Sequence, residues 1–447
     1  MIITEKMYKK SIIIIFILLI LENSFSQDIF LPANLTPTSQ VLIKPIHPLL
    51  INRFYQLHNQ QLFWFNNDAG SVALRHSLKL AIDSCVNIGL DKEKYHYNEI
   101  VACSNKIYLP ADSIVTINTD KIFTDAAIAL CKDIYQGKNI SSRINYDEIS
   151  RKYADADNEY LINNIIAANT ATAFSQFIFV LEPAEKEYAL LKNELKIQLQ
   201  KIGTLQIKQL STSLNFFRWI HHFRFEKCIV VNIASATLRY YEKDSLKLKT
   251  NVIVGKPSTK TPRFAAYCNQ VILYPYWNVP SSIVLKELLP KIRRHPSTID
   301  ALNLQVVDAN GKVINHYNLN WKAYSSNYFP YRLRQSTGCD NSLGVIKFNV
   351  TDPFSVYLHD TNNKSAFLSG YRYYSHGCIR VEEPMELGNL LLNNRLDTNF
   401  LKACYKEQSP KPIDLLNPVP VMVIYSPAET DKADKVKYYK DVYGILQ

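Results

Sequence analysis

The chain has 447 residues, of which 47% are hydrophobic and 20% charged, and a formal net charge of +11. That balance excludes a disordered or fibrous chain and leaves room for two or three domains with their own cores. The charge suits either an anionic cell-wall or membrane surface or a solvated lysine-rich exterior, and no basic run of the kind that tracks phosphates is present, which sets nucleic acid aside as a partner.

Residues 1–26 carry Lys6, Lys9 and Lys10, an apolar run from Ile12 to Leu21, and the small-polar pattern Ser24-Phe25-Ser26. This is the pattern of an export signal, and about ten apolar residues fall short of the roughly 20 that a membrane span needs. The expectation is a cleaved signal and an exported, periplasmic protein; the alternative is retention at the inner membrane by an uncleaved N-terminal segment. Residues 27–49, rich in proline, read as an extended leader.

Helical spacing follows. Leu74, Leu78, Ala81, Ile82 and Cys85 share one helix face, with Gly89 as a stop, and Ile122, Phe123, Ala126, Ala127, Leu130 and Ile134 mark a second helix ending near Gly137. A third helix is predicted from about Asn158 to Val180, and a fourth from the first turn at Pro183 to Gly203. Residues 50–217 therefore form a predicted helical scaffold domain, with Phe63-Trp64-Phe65 in its core. Past Arg218 the pattern changes to short segments rich in β-branched and aromatic residues: Cys228 to Ala234, Thr237 to Tyr241, Leu246 to Val254 and Val271 to Tyr276. A subdomain inserted over 281–335 interrupts them. Strands resume at Gly344 to Phe348 and Ser355 to Leu358, Pro384 opens a helix, and Val419 to Tyr425 closes a catalytic domain spanning 218–426. The charged tail, 427–447, reads as a surface helix. The fold class is α+β, a helical N-terminal scaffold followed by a β-rich domain with an inserted cap.

Chemistry concentrates in Tyr374 to Val381, where His376, Gly377, Cys378 and Arg380 fall within five residues. A thiolate attacks a carbonyl when something lowers its pKa or takes its proton, and a flanking glycine admits a substrate backbone. Cys378 is thus a nucleophile candidate, against a half-disulfide or a metal ligand. His359 ends the apolar Val356-Tyr357-Leu358, nineteen residues before Cys378. That is enough chain to return to the same sheet edge, where a Cys/His pair can share a proton. His376 and Cys378 alone fall short of the about four ligands of a zinc site, so no metal and no cofactor is expected. The eight cysteines show no C-x-x-C spacing, and Cys85 and Cys103 are nearest in sequence, without connectivity being assigned.

The histidine, a gap of fifteen residues, and then Ser375-His376-Gly377-Cys378 resemble the L,D-transpeptidases with a YkuD-type catalytic domain. The likeness extends to their large, multi-domain, YcbB-type branch through Asn341 to Phe348, Tyr357 to Thr361, Cys378 to Val381, Val254 to Pro257 and Tyr276 to Pro280. The resemblance implies cross-linking between diaminopimelate residues of peptidoglycan stem peptides. Cys378 would be the nucleophile and His359 the base, with a thioester intermediate and release of D-Ala. Gly377 and Cys378 N–H would be the oxyanion donors, with Ser375 and His376 shaping the pocket or, for His376, holding the loop. Arg380 would meet a substrate carboxylate or pair with Glu382, Glu383 or Asp360, while Tyr357 and Trp277 would line the donor groove or the core. Large members carry a peptidoglycan-binding module after the scaffold, for which Ala184 to Phe217 is too short. Alternatives are an L,D-carboxypeptidase or cross-link hydrolase using the same thioester, and, from another class, a non-catalytic wall-binding scaffold.

Overall fold

The computed structural model describes residues 29–32, 40–66, 68–104, 114–138, 140–201, 204–405 and 408–446; the expected export signal, 1–26, lies outside them. The chain divides into two compact units, one built from residues 1–138, 153–207 and 217–219, the other from 139–152, 208–216 and 220–447.

In the first unit the described parts of the leader pair as an antiparallel ribbon, β1 (Ile29–Pro32) with β2 (Gln40–Ile43). Helices follow as α1 (Pro48–Leu57), α2 (Ala69–Ser84), α3 (Tyr97–Ser104) and α4 (Ile114–Gln136). Apolar faces of these helices surround Phe63, Trp64 and Phe65, all buried. A buried carboxylate on α4 anchors that loop: Asp120 accepts the backbone N–H groups of Phe63, Trp64 and Phe65. This satisfies donors that an apolar core would otherwise strand.

The predicted third helix is in fact two, α5 (Glu148–Ala167) and α6 (Ala171–Leu181). Thr170 breaks the run by leaving the helical conformation and accepting the N–H of Ala173 at 3.2 Å, the signature of an N-cap. The fourth is α7 (Lys186–Leu199), and a further helix, α8 (Thr204–His221), occupies a stretch where no element was expected.

The second unit is β-rich. Its strands are β3 (Tyr146–Asp147), β4 (Lys227–Asn232), β5 (Thr237–Glu242), β6 (Ser245–Gly255) and β7 (Phe264–Leu273). An inserted cap has its own sheet, β8 (Trp277–Asn278), β9 (Leu304–Val307), β10 (Val313–Ile314) and β11 (Arg332–Gln335), in the order β10-β9-β11-β8. The cap also has its own core around Val284, Leu289, Ile292, Trp321 and Leu333. The main sheet continues with β12 (Ile346–Val350), β13 (Leu358–His359), β14 (Tyr373–Ser375), β15 (Ile379–Val381) and β16 (Lys411–Ile424). Strand order runs β12-β13-β15-β6-β5-β4-β16-β7, and β7 pairs back onto β12, so the sheet closes on itself. Closure removes the exposed edges that an open sheet would present. The interior is filled by Val231, Leu238, Val254, Phe264, Ile346, Leu358 and Ile379, and α9 (Pro384–Leu391) packs Leu387 and Leu391 on the same core.

The tail is not a surface helix. It forms a hairpin of β17 (Ala428–Thr430) and β18 (Val436–Tyr438), then turns that bury Tyr443 and Leu446. Its charged residues build the turns: Asp431 accepts the N–H of Ala433 and Lys435, and Asp441 those of Ile445 and Leu446. Such side-chain caps compete with helix for the same backbone groups. The disulfide joins Cys339 to Cys404, while Cys85 and Cys103 are buried in the helical core.

Candidate active site

The site is a product of strand register. Lys347 on β12 pairs with His359 on β13, and His359 pairs with Arg380 on β15. Phe348, Leu358 and Ile379, their register partners one position along, are all buried in the barrel core. Because side chains alternate across a strand, Lys347, His359 and Arg380 lie together on the opposite face. One step further the N–H of Ile379 donates to the carbonyl of Tyr357 at 3.1 Å, which sets Tyr357 beside Cys378 on that same face.

His359 is only 5% exposed, and its Nδ1 donates to the backbone carbonyl of Asp360. That bond fixes the tautomer, so Nε2 carries the lone pair. Burial, reinforced by the positive charges of Arg380 and Lys347, lowers its pKa to about 3. The imidazole is therefore neutral at physiological pH and competent to accept a proton. The Asp360 carboxylate is occupied elsewhere, accepting from Val345 N–H at 3.0 Å and Thr361 N–H at 2.7 Å.

Cys378 is half-buried, with Sγ 4.0 Å from the carbonyl of Ser355. Burial raises its pKa above that of an ordinary thiol, and Tyr357 and Lys347 pull it back down. The Tyr357 ring lies 5.6 Å from that of His359, and Lys347 Nζ sits 4.1 Å above it. Burial, then the neighbouring Cys378, raises the tyrosine hydroxyl's pKa, and Trp277 acts on the same hydroxyl in the other direction. Tyr357 thus borders the thiol, and Trp277 reaches the Tyr357 hydroxyl. Among the described residues no hydrogen bond joins Cys378 to His359, and Arg380, half-buried, has no carboxylate in ion-pairing range. Burial lowers the Arg380 pKa and the adjacent Cys378 raises it.

The loop before Cys378 is braced internally. Ser375 Oγ donates to the Cys378 carbonyl at 2.6 Å and accepts from Gly377 N–H at 3.1 Å. Gly377 has φ +123°, open to glycine and strained for any other residue. The Gly377 N–H, expected as an oxyanion donor, is thus taken by Ser375, whereas the Cys378 N–H has no partner among the described residues. His376 points outward, its Nε2 2.8 Å from Glu287 Oε1 of the cap, so its imidazole ties the loop to the insertion.

Residues 226–396 match the YkuD family, the L,D-transpeptidase catalytic domain, and residues 50–195 match the Scaffold domain family. The chain carries an L,D-transpeptidase catalytic domain preceded by a scaffold domain. A Haemophilus influenzae protein named as a candidate L,D-transpeptidase is 35% identical over 223 residues, which are 49% of this chain and 45% of that protein. The chain thus spans under half the length of this curated relative. An L,D-transpeptidase structure from Mycobacterium smegmatis shares 16% identity at a TM-score of 0.22, covering 44% of this chain and 58% of that one. L,D-transpeptidase 3 from Mycobacterium tuberculosis, solved with a faropenem-derived adduct, shares 12% at 0.22, covering 44% and 60%. Neither structural likeness carries weight here.

Two residues outside the L,D-transpeptidase motif also bear on its loop. Lys347 was legible as the outward residue between Ile346 and Phe348, though only register brings it to His359. Thr261, whose Oγ1 donates to the Gly377 carbonyl at 2.8 Å, carried no signal in the chain.

Proposed function

We propose that this protein is a cell-wall L,D-transpeptidase of the large multi-domain branch, forming 3-3 cross-links through a thioester on Cys378. The observation that carries this reading is the shared sheet face: a thiol at Cys378, a neutral, tautomer-fixed imidazole at His359, and two half-buried cations, Lys347 and Arg380. His359 Nε2 takes the thiol proton as sulfur bonds to the carbonyl between diaminopimelate and the terminal D-Ala of a tetrapeptide stem. The carbonyl electron pair moves to oxygen, facing the Cys378 N–H. Collapse expels D-Ala, whose nitrogen receives the proton from His359, and leaves the thioester. The side-chain amine of a second stem attacks the thioester, gives its proton to His359, and the sulfur leaves and is reprotonated. Attack requires Sγ and Nε2 to meet; catalytic hydrogen bonds commonly tighten only when substrate is bound.

Arg380, with no carboxylate in ion-pairing range among the described residues, is suited to the free carboxylate of the donor stem. Tyr357 and Trp277 would line the donor groove. The export pattern ahead of the leader supports a site of action in the periplasm, where the substrate resides. Among the described residues no helix is long and apolar enough to cross a membrane.

The test is muropeptide analysis after incubating the protein with disaccharide tetrapeptides. Cross-linked dimer is expected; tripeptide alone would move the reaction to L,D-carboxypeptidase, and unchanged tetrapeptide to a wall-binding scaffold. A Cys378→Ala variant retaining full activity would remove the nucleophile assignment.

A further inference from the structure

The Gly377 carbonyl and the Cys378 N–H belong to one peptide group, and in a trans peptide they point in opposite directions. Whatever holds the carbonyl therefore aims the N–H. Sterics do not hold it, because a glycine at this φ lets the peptide plane rotate more freely than any other residue would.

Thr261 supplies the constraint. Its Oγ1 donates to Gly377 O at 2.8 Å and accepts from Gly255 N–H at 2.8 Å, so the hydroxyl proton has one direction in which to point. Thr261 is 2% exposed, and its own N–H donates to the Tyr443 hydroxyl at 3.1 Å. That hydroxyl donates onward to Gly255 O at 2.5 Å. Tyr443 is itself fixed: its N–H donates to Tyr425 Oη at 3.2 Å, its ring stacks on that of Tyr425 at 5.7 Å, and its carbonyl accepts from Lys260 Nζ at 2.6 Å. The chain from the C-terminal segment to the nucleophile peptide is closed at every link.

We propose that Thr261 is a positioning residue that orients the Gly377–Cys378 peptide so that the Cys378 N–H faces the developing oxyanion, and that Tyr443 holds Thr261 in place. The inference rests on the acyl-transfer reading above. As sulfur bonds to the carbonyl carbon, the π pair moves to oxygen, and a donor lowers that barrier only if it is already in place.

Two reagents directed at Cys378 separate this role from a general loss of structure. Faropenem is attacked at a strained amide carbonyl, placing charge on oxygen before the ring C–N bond opens and its nitrogen takes the proton. Iodoacetamide is attacked at a saturated carbon, with iodide leaving and no oxyanion forming. In Thr261→Val, acylation by faropenem, followed by intact-mass spectrometry, is expected to slow roughly 10- to 100-fold, while alkylation of the Cys378 peptide stays within about twofold of wild type. Thr261→Ser should restore acylation, Tyr443→Phe should show the same asymmetry more weakly, and tetrapeptide turnover should lose kcat with KM unchanged. Unchanged acylation in Thr261→Val, or equal slowing of both reagents without rescue by serine, overturns the positioning role alone. A wild-type protein alkylated at Cys378 but inert to faropenem and tetrapeptide overturns the acyl-transfer reading, and this proposal with it.

Discussion

The resting protonation state of the Cys378 and His359 pair is set by burial. His359, with its pKa lowered to about 3 from an ordinary 6.5, is neutral and able to accept a proton across the physiological range. Cys378, raised by burial, is a thiol at neutral pH. Lowering the pH from 8 to 5 therefore withdraws only the small thiolate fraction. Thiol and neutral imidazole are the two forms the proposed general-base step uses, so the expected kcat/KM profile is flat from pH 5 to 8, with no limb near 6.5. Lys347 stabilises the thiolate, so Lys347→Met should move the alkaline limb of Cys378 alkylation, which follows the thiolate fraction, to higher pH. An unshifted limb would show that the ammonium is screened from the sulfur. Cys378 and His359 were legible because both residue types carry their chemistry within short motifs. The Gly377 N–H was misassigned because its engagement by Ser375 Oγ depends on loop conformation.

At the level of elements, the short β13 is held between β12 and β15, and the loop around Gly344 holds the residue that orients its histidine. Gly344 has φ +59°, and a Cβ there would fall 2.1 Å from Asp360 Oδ2. Gly344→Ala must therefore displace the Asp360 side chain, and with it the backbone carbonyl that fixes His359. The expected cost is about 2 kcal/mol or more, read from the urea midpoint. Tetrapeptide turnover should fall by more than that stability loss accounts for. Wild-type stability and turnover together would exclude this coupling. Periodicity located most strands and the helix α9 but misjudged α5 and α6, because Thr170 fits a helical pattern until its side chain caps the next helix. The tail was misjudged for a related reason: Asp431 and Asp441 look like solvated charges in the sequence and act as turn caps in the fold.

For the whole molecule, the Cys339–Cys404 disulfide closes a sequence separation of 65 residues, linking the segment after β11 to the turn that follows the short helix Thr398–Lys402. Cross-links over loops of this size contribute on the order of 2–4 kcal/mol, chiefly by restricting the unfolded chain. Reductant, or a Cys339→Ser/Cys404→Ser double variant, should lower the urea midpoint correspondingly; an unchanged midpoint would show that the bond does not form in solution. Such a bond persists in an oxidising compartment, in keeping with the proposed export.

By itself the sequence determined the helical and β-rich halves, the inserted cap, and the candidate nucleophile and base of an L,D-transpeptidase domain, because periodicity and residue chemistry are local properties of the chain. The tertiary structure decided which cations share the face of Cys378, which peptide N–H is left to meet an oxyanion, and that Tyr443 and Thr261 reach the nucleophile loop. Those depend on strand register and sheet closure, contacts between residues up to 188 positions apart, and spacing along the chain does not encode them.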